Sequence, residues 1–409
     1  MADRSVDYLL IGGGLAAGSC ARWLREEGAD GSILLVGREP DPPYNRPPLT
    51  KGYLRREENR EEVLYRPGEW WQEQGVELQT RTSVMKLDSA ERVASLSTKD
   101  QVRFEKALVA TGANVHRLRI EGADLDGIHY LRALANADAL RADAEQAERV
   151  VLIGGSYIGC EVAASLTASL GVPCAIVMLE RTPLERHFGR TAGEFFARVL
   201  EEHGIEIHGE EEVARLEGSE GRVRKVVTAS ELELECECLV IGAGVTPDTM
   251  LARSGGLEVG ETGGLRCSSG LETSVPGIFA AGDNCEYDSE IHGRPLRVEH
   301  WDVAANQGRT AALNMLGRGV AHDVVPYFFS DLADWVSLEY VGPGTGDPVV
   351  RGSLDDGEFA IFYLDQGRVT AALSIGRSED LDHARRFIVE RASPDAAALA
   401  DLGTDLGEL

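Results

Sequence analysis

No stretch of the chain approaches the roughly 18 apolar residues that a membrane span needs. Cysteine is scarce and badly spaced: seven residues, an odd number, with no C-x-x-C and no zinc-type pairing. Reduced, mostly structural thiols are therefore expected. Histidine numbers nine, and neither H-x-x-x-H nor H-E-x-x-H occurs, so no catalytic metal is expected. The hydrolase elbow G-x-S-x-G is also missing. Positive charge is short, with 41 Lys and Arg against 68 Asp and Glu, a net charge of −27. That balance argues against nucleic acid or an anionic membrane as partner. The opening MADRSVDYLLIGGG enters a structural motif almost at once and leaves no room for a signal peptide, which points to the cytoplasm. What remains is 43% apolar, as in soluble globular proteins, and 409 residues exceed one ordinary core, so two or three domains are expected.

Two segments look like copies of one unit, VDYLLIGGGLAAGSCARWL from Val6 and RVVLIGGSYIGCEVAASL from Arg149. Each has a short apolar strand, a glycine-rich turn and a helix of small residues, and such duplication organises the whole reading. The first turn, Gly12-x-Gly14-x-x-Ala17, matches the dinucleotide fingerprint G-x-G-x-x-G/A. The second, Gly154-x-Ser156-x-x-Gly159, has serine in the middle, whose side chain must turn away from the phosphate path. The first glycine allows the tight turn, the second lets backbone approach a pyrophosphate, and the third small residue lets helix pack on strand.

Each unit should carry an acid for the ribose hydroxyls just beyond its second strand. The first offers Glu39 in SILLVGREP, beyond the strand Ile33–Val36; a plain solvated acid is the alternative. The second offers Glu180, favouring NADH, followed by Arg181, which would suit the 2′-phosphate of NADPH. Both acids could equally cap the strand end. ALVATGA, Ala107–Ala113, is a strand ending in a turn at Thr111-Gly112, and CLVIGAGVTPDTML, Cys238–Leu251, repeats the pattern. TSVPGIFAAGDN, Thr273–Asn284, then gives a strand, a turn at Gly282 and the acid Asp283.

This ordered set resembles the flavoproteins with two dinucleotide-binding domains, the glutathione-reductase-like superfamily. The resemblance implies FAD as cofactor, with Asp283 on its ribityl chain. Disulfide reductases of that superfamily carry C-x-x-x-x-C where this chain reads PPYNRPPLTKGYL, and no cysteine lies between Cys20 and Cys160. A thiol relay there is impossible. PYNRPPLTK, Pro43–Lys51, is instead similar to the signature of ferredoxin reductases of oxygenase systems and of apoptosis-inducing factor. In that branch the arginine and prolines wrap the flavin and the lysine lies near its reactive edge, which maps onto Arg46, Pro47 and Lys51. The glutamate paired with that lysine maps onto Glu161, and an ordinary surface pair is the alternative. Tyr157 stands where relatives place an aromatic that covers the flavin until nicotinamide displaces it; a merely packed tyrosine fits as well.

LRVEHWDVAANQGRTAALNMLG, Leu296–Gly317, is similar to the helix that meets the flavin pyrimidine end, bringing in Glu299, His300 and Trp301. The Glu299-His300 pair looks closer to apoptosis-inducing factor and plant monodehydroascorbate reductase. His300 would titrate near neutrality and contact nicotinamide, or be a satisfied helix histidine. PYFFSDLADWVSLEYVG resembles the opening of the branch's C-terminal domain, with Phe329 where relatives have tryptophan. Cys236 and Cys238, in the alternating run LELECECL, read as filler on one face of a strand, and the acidic end GTDLGEL reads as a frayed tail.

The expected architecture is α/β: two Rossmann-like dinucleotide-binding domains plus a small C-terminal α+β domain. The FAD-binding domain would comprise 1–112 and 240–325, the NAD(P)-binding domain 113–239, and the C-terminal interface domain 326–409. The implied activity is hydride transfer from NADH (or NADPH) to FAD, with electrons passed to a small iron–sulfur protein. Two alternatives stand beside it: a signalling flavoprotein like apoptosis-inducing factor with NADH-linked dimerisation, and a monodehydroascorbate-type reductase. A homodimer is left open. Arg309 and Arg318 are candidates for a local basic patch against the overall negative charge.

Overall fold

The computed structural model describes residues 3–409; Met1 and Ala2, at the opening MADRSVDYLLIGGG, lie outside the described residues. Its long helices are α1 (Leu15–Glu26), α2 (Leu134–Ala144), α3 (Tyr157–Leu170), α4 (Glu185–Glu202), α5 (Trp301–Met315) and α6 (Ser378–Glu390). None among the described residues is long and apolar enough to cross a membrane. The chain forms two compact units.

The first unit takes in residues 1–45, 60–114 and 246–328. Strands Val76–Gln79, Ile33–Val36, Arg4–Ile11, Gln101–Val109 and Ile278–Ala280 run parallel in that order. A parallel sheet is covered on both faces, so its strands read as continuous apolar runs rather than alternating ones. Leu9, Leu10, Leu34, Leu35, Leu108 and Val109 are accordingly all fully buried, each such side chain contributing about 1.5–3 kcal/mol of transfer free energy. Helix α1 packs against α5, and its small residues make the close approach possible. A Cβ on Gly308 of α5 would stand 2.4 Å from the Ala16 carbonyl oxygen. Ser19 at the same contact donates to the Ala305 carbonyl at 2.7 Å.

The second unit takes in residues 46–59, 115–245 and 329–409. It repeats the parallel pattern with strands Glu206–His208, Cys174–Val177, Val150–Ile153, Cys238–Ile241 and Ile128–His129. An antiparallel three-stranded sheet (Val213–Ser219, Arg222–Thr228, Glu233–Glu235) packs within it. A five-stranded sheet near the C-terminus carries α6, in the α+β arrangement expected. LELECECL is not one strand. The chain leaves one sheet at Glu235 and enters another at Cys238, and both thiols are fully buried.

The final residues are not frayed. The buried Arg351 guanidinium donates to the carbonyls of Leu399 (3.2 Å), Asp401 (2.5 Å) and Thr404 (3.0 Å). Arg386 holds the Leu406 carbonyl at 2.7 Å, and the Leu406 side chain is buried. An acidic composition suggested solvation, but an arginine from the sheet gathers the orphan carbonyls of that end.

Candidate dinucleotide and redox sites

The first unit brings its glycine turns to the carboxyl ends of adjoining parallel strands, where ligands of open α/β sheets bind. Gly12 follows the strand Arg4–Ile11 at φ 133°, and a Cβ there would lie 2.0 Å from the Ala110 carbonyl oxygen. Gly14 is the N-cap of α1, and a Cβ on it would meet nothing within 4 Å. Ala17 is fully buried. The first turn of α1 has no side-chain cap and no acid, so its free N–H groups and positive dipole end suit a pyrophosphate. The cradle therefore fits a dinucleotide. Beyond the second strand, Glu39 accepts a hydrogen bond from the Tyr44 hydroxyl at 2.5 Å.

Thr111 and Gly112 close the next strand, with the Thr111 hydroxyl donating to the Asp248 carbonyl at 2.5 Å and the Asp248 N–H to the Gly112 carbonyl at 2.8 Å. Gly282 turns at φ 86° after Ile278–Ala280 and places Asp283, half-buried, at the same edge. Three residues that lie in the quoted segments but were given no role there shape this turn. Gln307 accepts from the Gly282 N–H at 2.7 Å, and Asn284 donates to Thr111 Oγ1 at 3.0 Å. Arg297 donates to the Asp283 carbonyl at 3.0 Å and pairs with Glu299. Their only sequence signal was proximity to Asp283 and to the helix α5. His300 is the N-cap of α5, with its ring 4.7 Å from that of Phe328. Trp301 donates through Nε1 to Asn45 at 2.9 Å and keeps 39% of its surface exposed.

The second unit repeats the cradle. Gly154 sits at φ 106°, where a Cβ would come 2.6 Å from the Gly242 carbonyl oxygen; on Gly159 it would come 2.0 Å from that of Gly154. Ser156 is the N-cap of α3, yet its hydroxyl donates to the Gly242 carbonyl at 3.2 Å. The side chain thus turns away from the helix N-terminus and leaves its N–H groups open. Glu180 and Arg181 follow the strand Cys174–Val177; the acid is half-buried and the arginine exposed. The Tyr157 ring lies 4.4 Å from that of His187.

The same unit holds Arg46, Pro47, Lys51, Glu161 and Phe329. Pro47 opens a 3₁₀ turn, Pro47–Thr50, whose fixed φ delivers Lys51 at its end. Arg46 donates to the Arg132 carbonyl. Lys51 and Glu161 are 8% and 5% exposed, with Nζ 2.6 Å from Oε1. Two hydroxyls complete the carboxylate's partners, Thr50 on Oε2 and Ser330 on Oε1, each at 2.5 Å. Ser330 sits in the quoted PYFFSD segment, but its pairing with Glu161 was invisible to sequence reasoning because the C-terminal strand brings it from 169 residues away. The Lys51 ammonium also lies 5.8 Å from the Phe329 ring centroid. A buried carboxylate with three donors stays satisfied and fixes where the ammonium points.

All seven cysteines are free and buried. Burial pushes the thiols of Cys20, Cys160, Cys238 and Cys285 well above their ordinary value and that of Cys174 up to about 11. Thiolate is the reactive form, so these thiols are inert. Treating native protein with iodoacetamide is expected to leave NADH-driven reduction of an artificial acceptor within about twofold of the untreated rate. Among the described residues no group of three His, Cys, Asp or Glu is placed to hold a metal ion.

Residues 6–308 match the family described as pyridine nucleotide-disulphide oxidoreductase, and residues 327–409 match the reductase C-terminal family. The chain belongs to the pyridine nucleotide-disulphide oxidoreductases. It is an oxidoreductase of two dinucleotides, FAD and NADH. The anthranilate 1,2-dioxygenase system ferredoxin–NAD(+) reductase component of Burkholderia cepacia is 32% identical over 400 residues, covering 96% of this chain and 97% of that protein. The ferredoxin reductase for the CYP199A2 system from Rhodopseudomonas palustris superposes with a TM-score of 0.93 at 30% identity, covering 98% of this chain and 99% of that one. The covalent putidaredoxin reductase–putidaredoxin complex gives 0.92 at 28% identity, covering 100% and 98%.

Proposed function

We propose that this chain takes hydride from NADH onto FAD and passes the electrons to a ferredoxin-type iron–sulfur protein. The observation that carries the reading is the buried Lys51–Glu161 pair in a chain with no cysteine between Cys20 and Cys160. FAD, when bound, supplies the chemistry, since it accepts two electrons together and can release them singly. In this proposal residues 1–112 and 240–325 bind FAD through Gly12, Gly14, Glu39, Thr111 and Asp283, and 113–239 bind NADH through Gly154, Gly159 and Glu180. Residues 326–409 form the C-terminal domain and bring Ser330 to Glu161. With FAD bound, Lys51 would supply a fixed positive charge to balance the negative charge that reduction gives the flavin, and Glu161 would keep that ammonium in place. His300, Trp301 and the uncapped N-terminus of α5 serve the pyrimidine end, and the cytoplasm remains part of the reading.

For the acceptor, support comes from the relatives' names and from one surface. Arg22 and Arg309 stand 5.3 Å and 4.6 Å from the Trp23 ring, on α1 and α5. Arginine and aromatics are the residues enriched at protein interfaces, and cations there suit an acidic carrier. Arg309 carries most of this positive charge: Arg22 and Arg318 contribute less, because Glu26 stands 2.7 Å from the first and Glu27 3.8 Å from the second.

Glu180 repels a 2′-phosphate, so kcat/KM for NADH is expected to exceed that for NADPH by at least about tenfold, one decade being about 1.36 kcal/mol. Steady-state kinetics with both nucleotides check this; equal values would hand the ribose end to Arg181. The reading as a whole is tested by anaerobic titration with NADH, where one equivalent should bleach the flavin.

A further inference from the structure

The loop that leads into α4 is built under strain and held there. Leu184 occupies the left-handed region at φ 60°, uncommon for a branched residue, and Gly189 breaks the helix at φ 77°, ψ 171°. Residues 185–188 are thus an isolated helical turn between two breaks. The turn is fixed at both ends. Leu184 N–H donates to the Gly155 carbonyl at 2.8 Å, tying it to the second glycine turn. The Glu185 carboxylate accepts from both the Thr182 N–H and hydroxyl at 3.0 Å. At the far end, the Tyr363 hydroxyl donates to the Phe188 carbonyl at 2.7 Å, and the buried Phe188 ring packs 5.2 Å from Tyr340.

What this fixed turn presents to the glycine turn is His187. Its ring lies 4.4 Å from Tyr157, inclined 32°, while Phe188 meets the same tyrosine edge-on at 5.8 Å. Burial and the neighbouring Arg186 hold the imidazole below its ordinary pKa, against the opposing pull of Glu180. Burial also keeps the phenol well above its own. Two neutral rings therefore meet, inclined to each other, against a turn held at both ends by hydrogen bonds. Strain of this kind persists where the surroundings over-determine it, and such places cluster at ligand clamps.

We propose that His187 is a positioning residue that holds the ring of Tyr157 in the nucleotide-free protein, so that NADH binds only by giving up the Tyr157–His187 stack. This rests on reading Tyr157 as the ring that nicotinamide displaces. Stacked aromatic pairs are worth enough to change an equilibrium constant by about 2- to 12-fold. The FAD-loaded His187→Ala protein should then bind NADH about 2- to 12-fold more tightly than wild type. Its limiting rate of flavin reduction should stay within about twofold, because no reacting group is touched. His187→Phe keeps a ring and should return the wild-type dissociation constant.

Anaerobic stopped-flow reduction at a series of NADH concentrations gives both numbers for each protein. An unchanged dissociation constant in His187→Ala would overturn the inference, as would an equal change in His187→Phe. Weakened binding in His187→Ala alone would overturn it too, since the stack would then assist NADH rather than oppose it. A wild-type protein that NADH fails to reduce would instead remove the functional reading on which the inference stands.

Discussion

Changing Glu161 to glutamine is expected to slow NADH-driven flavin reduction by about 10²–10³-fold, the usual effect of removing one preorganised electrostatic partner. The amide cannot hold the Lys51 ammonium as the carboxylate does at 2.6 Å, and it sets N–H groups against it. Lys51→Met should cost a similar factor by removing the charge itself. Each single change also leaves one uncompensated charge in a buried place, which costs about 3–5 kcal/mol of stability. The double variant Lys51→Met/Glu161→Leu separates the two effects. Apolar replacement of both partners should recover much of the melting temperature and none of the rate. A double variant as slow to melt as wild type and also as fast would remove the pair from the reaction altogether. Ser330→Ala should fall between, because Glu161 keeps Lys51 and Thr50.

Gly12→Ala is expected to abolish FAD retention. The position needs φ 133°, and the new methyl would stand 2.0 Å from the Ala110 carbonyl oxygen, a backbone atom just past the neighbouring strand Gln101–Val109. Only glycine occupies that conformation readily. Asp283→Ala is milder, since it removes a charge-assisted hydrogen bond of about 1.5–3 kcal/mol, a loosening of roughly 10- to 150-fold. Gel filtration followed by the ratio of absorbance at 450 nm to that at 280 nm reads both. An Asp283→Ala protein that keeps full flavin through dilution would release that residue from its assigned role, and a yellow Gly12→Ala protein would relocate the first cradle.

The repeated cradle was legible because its physics is local. A strand, a turn and a helix of small residues leave their mark in fewer than twenty adjacent positions, and both copies fold as the glycine spacing requires. Ser156 shows the limit of that reading. Sequence says only that its hydroxyl must turn aside, while the partner that makes this possible, the Gly242 carbonyl, lies 86 residues on. The hydroxyls around Glu161 were illegible for the same reason. Thr50 and Ser330 lie inside two quoted segments, PYNRPPLTK and PYFFSD, but nothing local ties either hydroxyl to Glu161; they converge only when a 3₁₀ turn, α3 and a C-terminal strand meet. His187 is more distant still from any rule, since its importance comes from breaks at Leu184 and Gly189. LELECECL misled because alternation continues through the two residues at which the chain changes sheets. The C-terminal end misled because composition cannot anticipate that one buried arginine, Arg351, will collect three carbonyls.

The proposal as a whole turns on where the electrons go. Protein reduced by one equivalent of NADH, mixed anaerobically with an oxidised ferredoxin in a stopped-flow instrument, measures that step directly. Flavin reoxidation should match ferredoxin reduction at two ferredoxins per NADH. The net charge of −27 adds a requirement: the rate should rise or stay flat as salt increases from a low value, because screening relieves long-range repulsion between two acidic proteins. Arg309→Glu should slow the step further at low salt, by weakening the patch around Trp23. No reoxidation by ferredoxin, together with a persistent long-wavelength charge-transfer band and NADH-induced dimerisation, would contradict the account and make this chain a signalling flavoprotein instead.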